Sequence, residues 1–268
     1  MRRFALVSVI APLCAYSIAQ DMPVATTGYD FDGIANGGPA SNGDLADIQA
    51  STTGTVFDGK AGTLDSLYVY FGVGFSAAAP TVGLPQDPFT SATGSGTVFG
   101  LQDFSSNNVL LLREANSGQS SGTLTLTTPS AYSHLSFLVT GFNGSQPTGY
   151  SLNFMSGTPT MGNFSAPDNF NNSGAAISGF GRVDRNNNGV FDFASGTNPR
   201  LYEIDVSLSA GDQARSLTSI TFTNEESSGT SFHNVGVFAV SGTPVPEPAT
   251  LAVLGVGALA ALRRRRRA

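Results

Sequence analysis

Cysteine is almost missing from this chain: among 268 residues the only one is Cys14. It lies within an N-terminal apolar stretch, so the body of the protein carries no thiol, and disulfides, thiolate metal centres and cysteine nucleophiles are excluded there. Tryptophan is absent, which removes a favoured stacking platform for sugars and bases. Histidine occurs only as His134 and His233, without a His-x-x-x-His spacing, which argues against zinc and leaves few candidate bases for nucleophilic catalysis. Charged residues make up 12% of the chain, and no window between the two ends carries a helical period. No glycine-rich phosphate loop precedes a helix, so nucleotide cofactors are not expected.

What is present sorts into two ends and a middle. Met1-Arg2-Arg3 followed by the apolar run Phe4 to Ile18 has the layout of a secretory signal peptide, with the small residues Ser17 and Ala19 placed for signal peptidase. Cleavage after Ala19 makes Gln20 the new N-terminus. Leu13 stands before Cys14 where a lipid-anchoring signal needs a small residue, so no lipid anchor is expected at Cys14. At the other end, Val245-Pro246-Glu247-Pro248 leads into the uncharged segment Leu251 to Leu262 and then into Arg263, Arg264, Arg265, Arg266 and Arg267. The apolar segment is shorter than the roughly 20 residues that span a bilayer core, and arginine stems extend its reach by snorkelling. The basic cluster fixes the tail on the cytoplasmic side of a single transmembrane helix.

Pro-Glu-Pro, a short apolar helix and a terminal basic cluster, in that order, resemble the PEP-CTERM sorting signal of exopolysaccharide-producing bacteria. The resemblance implies recognition by an exosortase-like enzyme, with the helix and arginines a transient address in the inner membrane and the mature protein passed to the cell surface or matrix. A permanent single-pass anchor is the alternative. Both place residues 20–243 outside the inner membrane as the ectodomain, with 1–19 the signal peptide and 244–268 the sorting and anchor segment.

Between the leader and the five terminal arginines stand six basic and nineteen acidic residues, Glu247 included, a net charge of −13. Such a surface repels phosphate backbones, so nucleic acid is excluded as a partner. The middle alternates apolar and polar residues in short runs separated by Gly, Asn, Ser, Pro and Asp. In 201–208, Tyr202, Ile204, Val206 and Leu208 point one way and Glu203, Asp205 and Ser207 the other. Similar runs occupy 29–34, 53–57, 64–73, 96–103, 108–114, 122–128, 134–142, 150–154, 176–183, 190–194, 216–223 and 232–241. The pattern predicts an all-β chain, an antiparallel β-sandwich of jelly-roll type, each sheet burying one face. Residues 74–95 and 155–175 are expected to be long loops. The segments 219–224 and 235–242, preceded by the strand at 201–208, also resemble the closing strands of carbohydrate-binding-like and galactose-binding-like sandwiches, a resemblance that bears on fold and says little about ligand.

Four groups of residues are candidates for chemistry. Asp184, Asn186, Asn188 and Asp192, with Gly189, match the first part of an EF-hand-type loop for Ca²⁺, although Ser195 stands where a bidentate Glu is usual. The same stretch reads more simply as a β-hairpin turning at Asn188-Gly189, and that reading is the one preferred. Glu203 with Asp205, or Glu225 with Glu226, supplies carboxyl pairs of the kind a glycoside hydrolase needs, although solvated strand faces carry such residues routinely. Tyr68 and Tyr70 share a face and form either a sugar platform or part of a strand buried on both sides. The expected function is a non-enzymatic, surface- or matrix-associated protein that binds polysaccharide; a secreted polysaccharide-active hydrolase is the alternative.

Overall fold

The structure, a computed structural model, describes residues 20–35, 58–59, 67–75, 79–114, 119–170, 173–184, 191–192, 197–227 and 233–245. The signal-peptide residues up to Ala19, most of the sorting segment (Pro246 onward) and the calcium-loop residues Asn186 and Asn188 lie outside the described residues.

Short strands come first: β1 (Met22–Pro23), β2 (Thr26–Thr27), β3 (Ile34–Ala35), β4 (Asp58–Gly59), β5 (Leu67–Phe71), β6 (Phe89–Thr90), β7 (Val98–Phe99) and β8 (Leu110–Leu112). The longer framework follows in β9 (Ser121–Ser130), β10 (Tyr132–Gly141), β11 (Gln146–Phe154) and β12 (Thr160–Ala166), then β13 (Ala175–Ser178), β14 (Arg182–Asp184) and β15 (Phe191–Asp192). It closes with β16 (Arg200–Ser207), the one-turn helix α1 (Ala210–Gln213), β17 (Leu217–Asn224) and β18 (Val235–Pro244). The chain is thus all-β in antiparallel sheets; the β3–β5 pair is parallel.

A central sheet runs β1-β18-β10-β16-β13, with β8 beside β18, and a second sheet runs β12-β11-β17-β9-β2. Leu135, Phe137 and Val139 of β10 point to the second sheet and meet Leu124, Leu152, Ile220 and Phe222 in one core. Phe137 sits at its middle, edge-on to Phe222 at 5.0 Å and to Tyr150 at 5.6 Å.

The opposite face of the central sheet was expected to meet water, and it does not. Leu138, Phe238, Ala239 and Leu201 bury against a third layer that contains Tyr70, Phe71, Phe99, Phe104 and Phe180. That layer is the sheet β15-β14-β5-β3 together with the β6–β7 hairpin. A register shift leaves Phe238 unpaired between Val237 and Ala239, and its ring stacks on Tyr70 at 5.8 Å. Two-sided burial explains why β18 reads as a nearly continuous apolar run and not as an alternation.

Strands lie where loops were expected, the two-residue β6 within 74–95 and the longer β12 within 155–175. β12 pairs with β11 along its length at the edge of the second sheet, and only Phe164 and Ala166 are apolar among its inward positions. Gly162 stands opposite Tyr150, whose ring fills the space that a side chain there would take.

Candidate functional site

The central sheet carries a polar seam on the face that is apolar further along. Its rows follow from the register: Thr243, His134 and Ser207 in one, Ser241, Ser136 and Asp205 in the next, Ala239, Leu138 and Glu203 in the third. The short β1 lies along β18, Met22 opposite Gly242, and drops the buried Asp21 onto the first two rows. Asp21 Oδ2 lies 2.6 Å from His134 Nδ1 and accepts from the Ser136 hydroxyl at 2.8 Å, while Thr243 donates to Oδ1. His134 therefore occupies the face opposite Leu135 and Phe137, as its position in the strand requires, yet it is half-covered by the N-terminal strand.

Ser136 forces a proton assignment. Its single hydroxyl proton faces two carboxyl oxygens at 2.8 Å, on Asp21 and on Asp205, and it can be given to only one. With Asp21 buried between His134 and Thr243, the two carboxyls compete for the one serine proton, and the half-exposed Asp205 is the one that water can serve in its place. Burial raises the Asp205 pKa above the ordinary aspartate value, and the charge of Glu203 beside it acts in the same direction against Ser136 and His134. Burial also opposes ionisation of Glu203, but the surrounding hydroxyls of Ser91, Thr97, Thr93 and Ser95, of which Thr93 and Ser95 bond it directly, outweigh it and hold this carboxyl below the ordinary glutamate range. Thr93 and Ser95 donate to Oε2 at 2.7 and 2.9 Å from the tip of the β6–β7 hairpin. The two acids expected on a solvated strand face are thus polarised in opposite senses, one toward the acid form and one toward the base form.

A second candidate surface is the outer face of the second sheet. Cross-strand rows place Thr123, Thr221, Ser151 and Met161 side by side, then Thr125, Ser219 and Asn153 in the neighbouring row. Thr123 and Thr221 share a hydrogen bond at 2.9 Å, and the Asn153 amide donates to Thr221 and Ser219 at 3.1 and 3.2 Å. Strands about 4.8 Å apart make this a regular lattice of hydroxyl and amide groups. None of these residues is charged; Glu225, lying against Gly149, reaches the face at one corner.

The other sequence candidates fare differently. Tyr70 is buried with its hydroxyl bonded to Asn169, and Arg182 lies 3.9 Å over the Tyr68 ring, so the two tyrosines form no open platform. His233 Nδ1 stands 3.8 Å from Glu114. The antiparallel pairing of Arg182 with Asp192 and Val183 with Phe191 makes the calcium-loop segment a hairpin whose connection lies outside the described residues. Among the described residues no group of three or more His, Cys, Asp and Glu is placed to hold a metal ion. Gly118-Gln119-Ser120-Ser121-Gly122 has the spacing of a nucleophile elbow that the sequence reading passed over; it leads into strand β9, and an elbow needs a helix there. A cleft of about 470 Å³ between Gly72, Leu84, Gln86 and Phe104 contains one carboxylate, Asp87, and no converging partner for it. The residues that the sequence reading missed are Asp21 and Ser136. One is a polar residue beside the leader, the other an apparently solvent-facing serine between two core positions.

The fold and surfaces define an all-β protein of antiparallel sheets with a polar seam under its N-terminal strand. Its destination is written at the C-terminus: residues 244–267 match the PEP-CTERM protein-sorting motif. The match supports an exported protein, sorted by an exosortase and held at the membrane before processing. No curated protein matches the chain. Among the described residues no helix is long and apolar enough to cross a membrane, and the segment Leu251 to Leu262 lies outside them.

Proposed function

We propose that the mature protein is a non-enzymatic surface or matrix protein that binds neutral extracellular polysaccharide through the outer face of its second sheet. The observation that carries the reading is the uncharged hydroxyl and amide lattice spanning β9, β17 and β11 in a strongly acidic protein. Everywhere else an anionic surface repels acidic polymers; here donors and acceptors stand in rows that a hydroxyl-rich chain can match. Sorting to a polysaccharide-producing envelope would bring protein and ligand together. An array of neutral and anionic polysaccharides tests it: binding to neutral members is expected, falling at least tenfold in Thr123→Glu/Thr221→Glu with the melting temperature kept. Preference for anionic members, or binding indifferent to the double substitution, refutes it.

A polysaccharide hydrolase is the second reading, favoured by one observation, the opposed pKa shifts of Glu203 and Asp205, since such pairs supply acid and base in glycoside cleavage. Release of reducing sugar that disappears in both Glu203→Gln and Asp205→Asn would establish it over the first.

A further inference from the structure

We infer that one end of the folded domain, where the first and last strands meet, is the surface that rests on the inner membrane until the protein is processed; this builds on the sorted, membrane-held precursor. The two tethers leave from the same place. Met22 pairs with Gly242, Pro23 with Ser241, and Asp21 is bonded to Thr243. The Val245 amide still donates to Ala131 at 2.8 Å, so the fold continues to the residue before Pro246-Glu247-Pro248. Five residues lie between Val245 and the apolar segment at Leu251, and two between the apolar Ile18 and Asp21, which makes six and three residue steps. At 3.3–3.6 Å per residue these reach about 20 and 10 Å. A domain of this length measures about 45 Å across by the usual scaling of radius of gyration, so the C-terminal tether, which alone remains once signal peptidase has cut after Ala19, is too short to let it turn its other end to the bilayer.

The chemistry of the two ends differs in the same sense. Among the described large hydrophobic residues that stand exposed, Met22 and Met155 lie at the tethered end, at β1 and after the end of β11, while Met161 stands beside Ser151 on the outer face of the second sheet and Val73 follows β5. The described acids at that end are Asp21, under β1, Asp205, in the row of Ser136 and Ser241 that pairs with Pro23, and Asp212, paired with Arg215. The opposite end, reached about 30 Å along β18, carries Asp30, Glu114, Asp168, Glu225 and Glu226 around the start of β18 and the end of β10. Exposed methionine tips and fewer acids suit the tethered end to contact with a lipid surface, and the more acidic end suits the periplasm.

Thiol labelling tests this in the full chain, because replacing Cys14 leaves no background cysteine. Exposed Thr128 marks the tethered end and exposed Ser145 the far end. Each is changed to Cys (Thr128→Cys, Ser145→Cys) on a Cys14→Ser background and expressed in spheroplasts lacking the exosortase, with a bulky maleimide as probe. The expected result is membrane-held protein in which Cys at 145 labels at least fivefold faster than Cys at 128, with the two rates equal once the chain is extracted in detergent. Equal rates in the membrane-held protein overturn the orientation while leaving the sorting intact. A chain recovered in the soluble fraction without extraction overturns the membrane-held precursor and the orientation with it.

Discussion

Replacing Asp21 by alanine is the perturbation that most directly questions the polar seam. The carboxylate is buried and receives hydrogen bonds from His134, Ser136 and Thr243, and it ties the two-residue strand β1 to the middle of the central sheet. Bonds to a charged group contribute about 1.5–3 kcal/mol each, but they are not additive, and Ser136 retains Asp205 when Asp21 is gone. Loss of one partner of a buried, paired charge costs about 3–5 kcal/mol; we take about 3 kcal/mol, because His134 is partly exposed and regains water. For a domain of this size that lowers the melting temperature by about 6–12 °C. Asp21→Asn, which keeps an acceptor oxygen, should lose about half as much. Calorimetry and urea unfolding of the mature protein provide the measurement, with the His134 ring followed by NMR to see whether Nδ1 loses its partner. An Asp21→Ala protein within about 0.5 kcal/mol of wild type would refute the reasoning, since β1 would then be held by its backbone alone.

Other outcomes follow from the same contacts. Phe137→Ala empties the centre of the core between the two sheets and should cost about 3–5 kcal/mol, read as a fall in urea midpoint without change in slope. Gly28 has φ +107°, and a Cβ there would collide with the Thr123 carbonyl, so Gly28→Ala should cost at least about 2 kcal/mol, whereas Gly94→Ala, with open space around it, should cost less. The raised pKa of Asp205 means that its contribution is present at low pH and is lost as pH rises through its folded value; Asp205→Asn should therefore gain on wild type as pH climbs past the ordinary aspartate range. Glu203 has the opposite sign: its contribution is present at neutral pH and lost as pH falls through its lowered value, so Glu203→Gln should be most damaging near neutrality. Millimolar Ca²⁺ should raise the melting temperature modestly if the loop at Asp184 takes it, and Asp184→Ala should abolish the rise; no shift in wild type removes calcium from the account.

How far the chain could be read in advance depends on where each residue's neighbours come from. The alternation in 201–208 located β16 and separated Ile204 and Val206 from Glu203 and Asp205, because period-two burial is local. It could not show that the polar side would be covered, since the hydroxyls on Glu203 come from residues 108 and 110 positions away. β12 escaped notice because an edge strand with a glycine under a tyrosine ring and little inward apolar volume leaves no hydrophobic period. β1 escaped because two residues carry no pattern, and Asp21 acquires its role only from the strands that it meets. The sorting segment was legible throughout, since its three parts are contiguous in sequence and need no partner to be recognised.

The account stands on export and C-terminal processing, and the intact mass of the protein recovered from cells tests that most directly. The prediction is a species in the surface or extracellular fraction that begins at Gln20 and lacks the apolar segment and the five terminal arginines. A full-length 27.6 kDa chain recovered from the cytosol would contradict it.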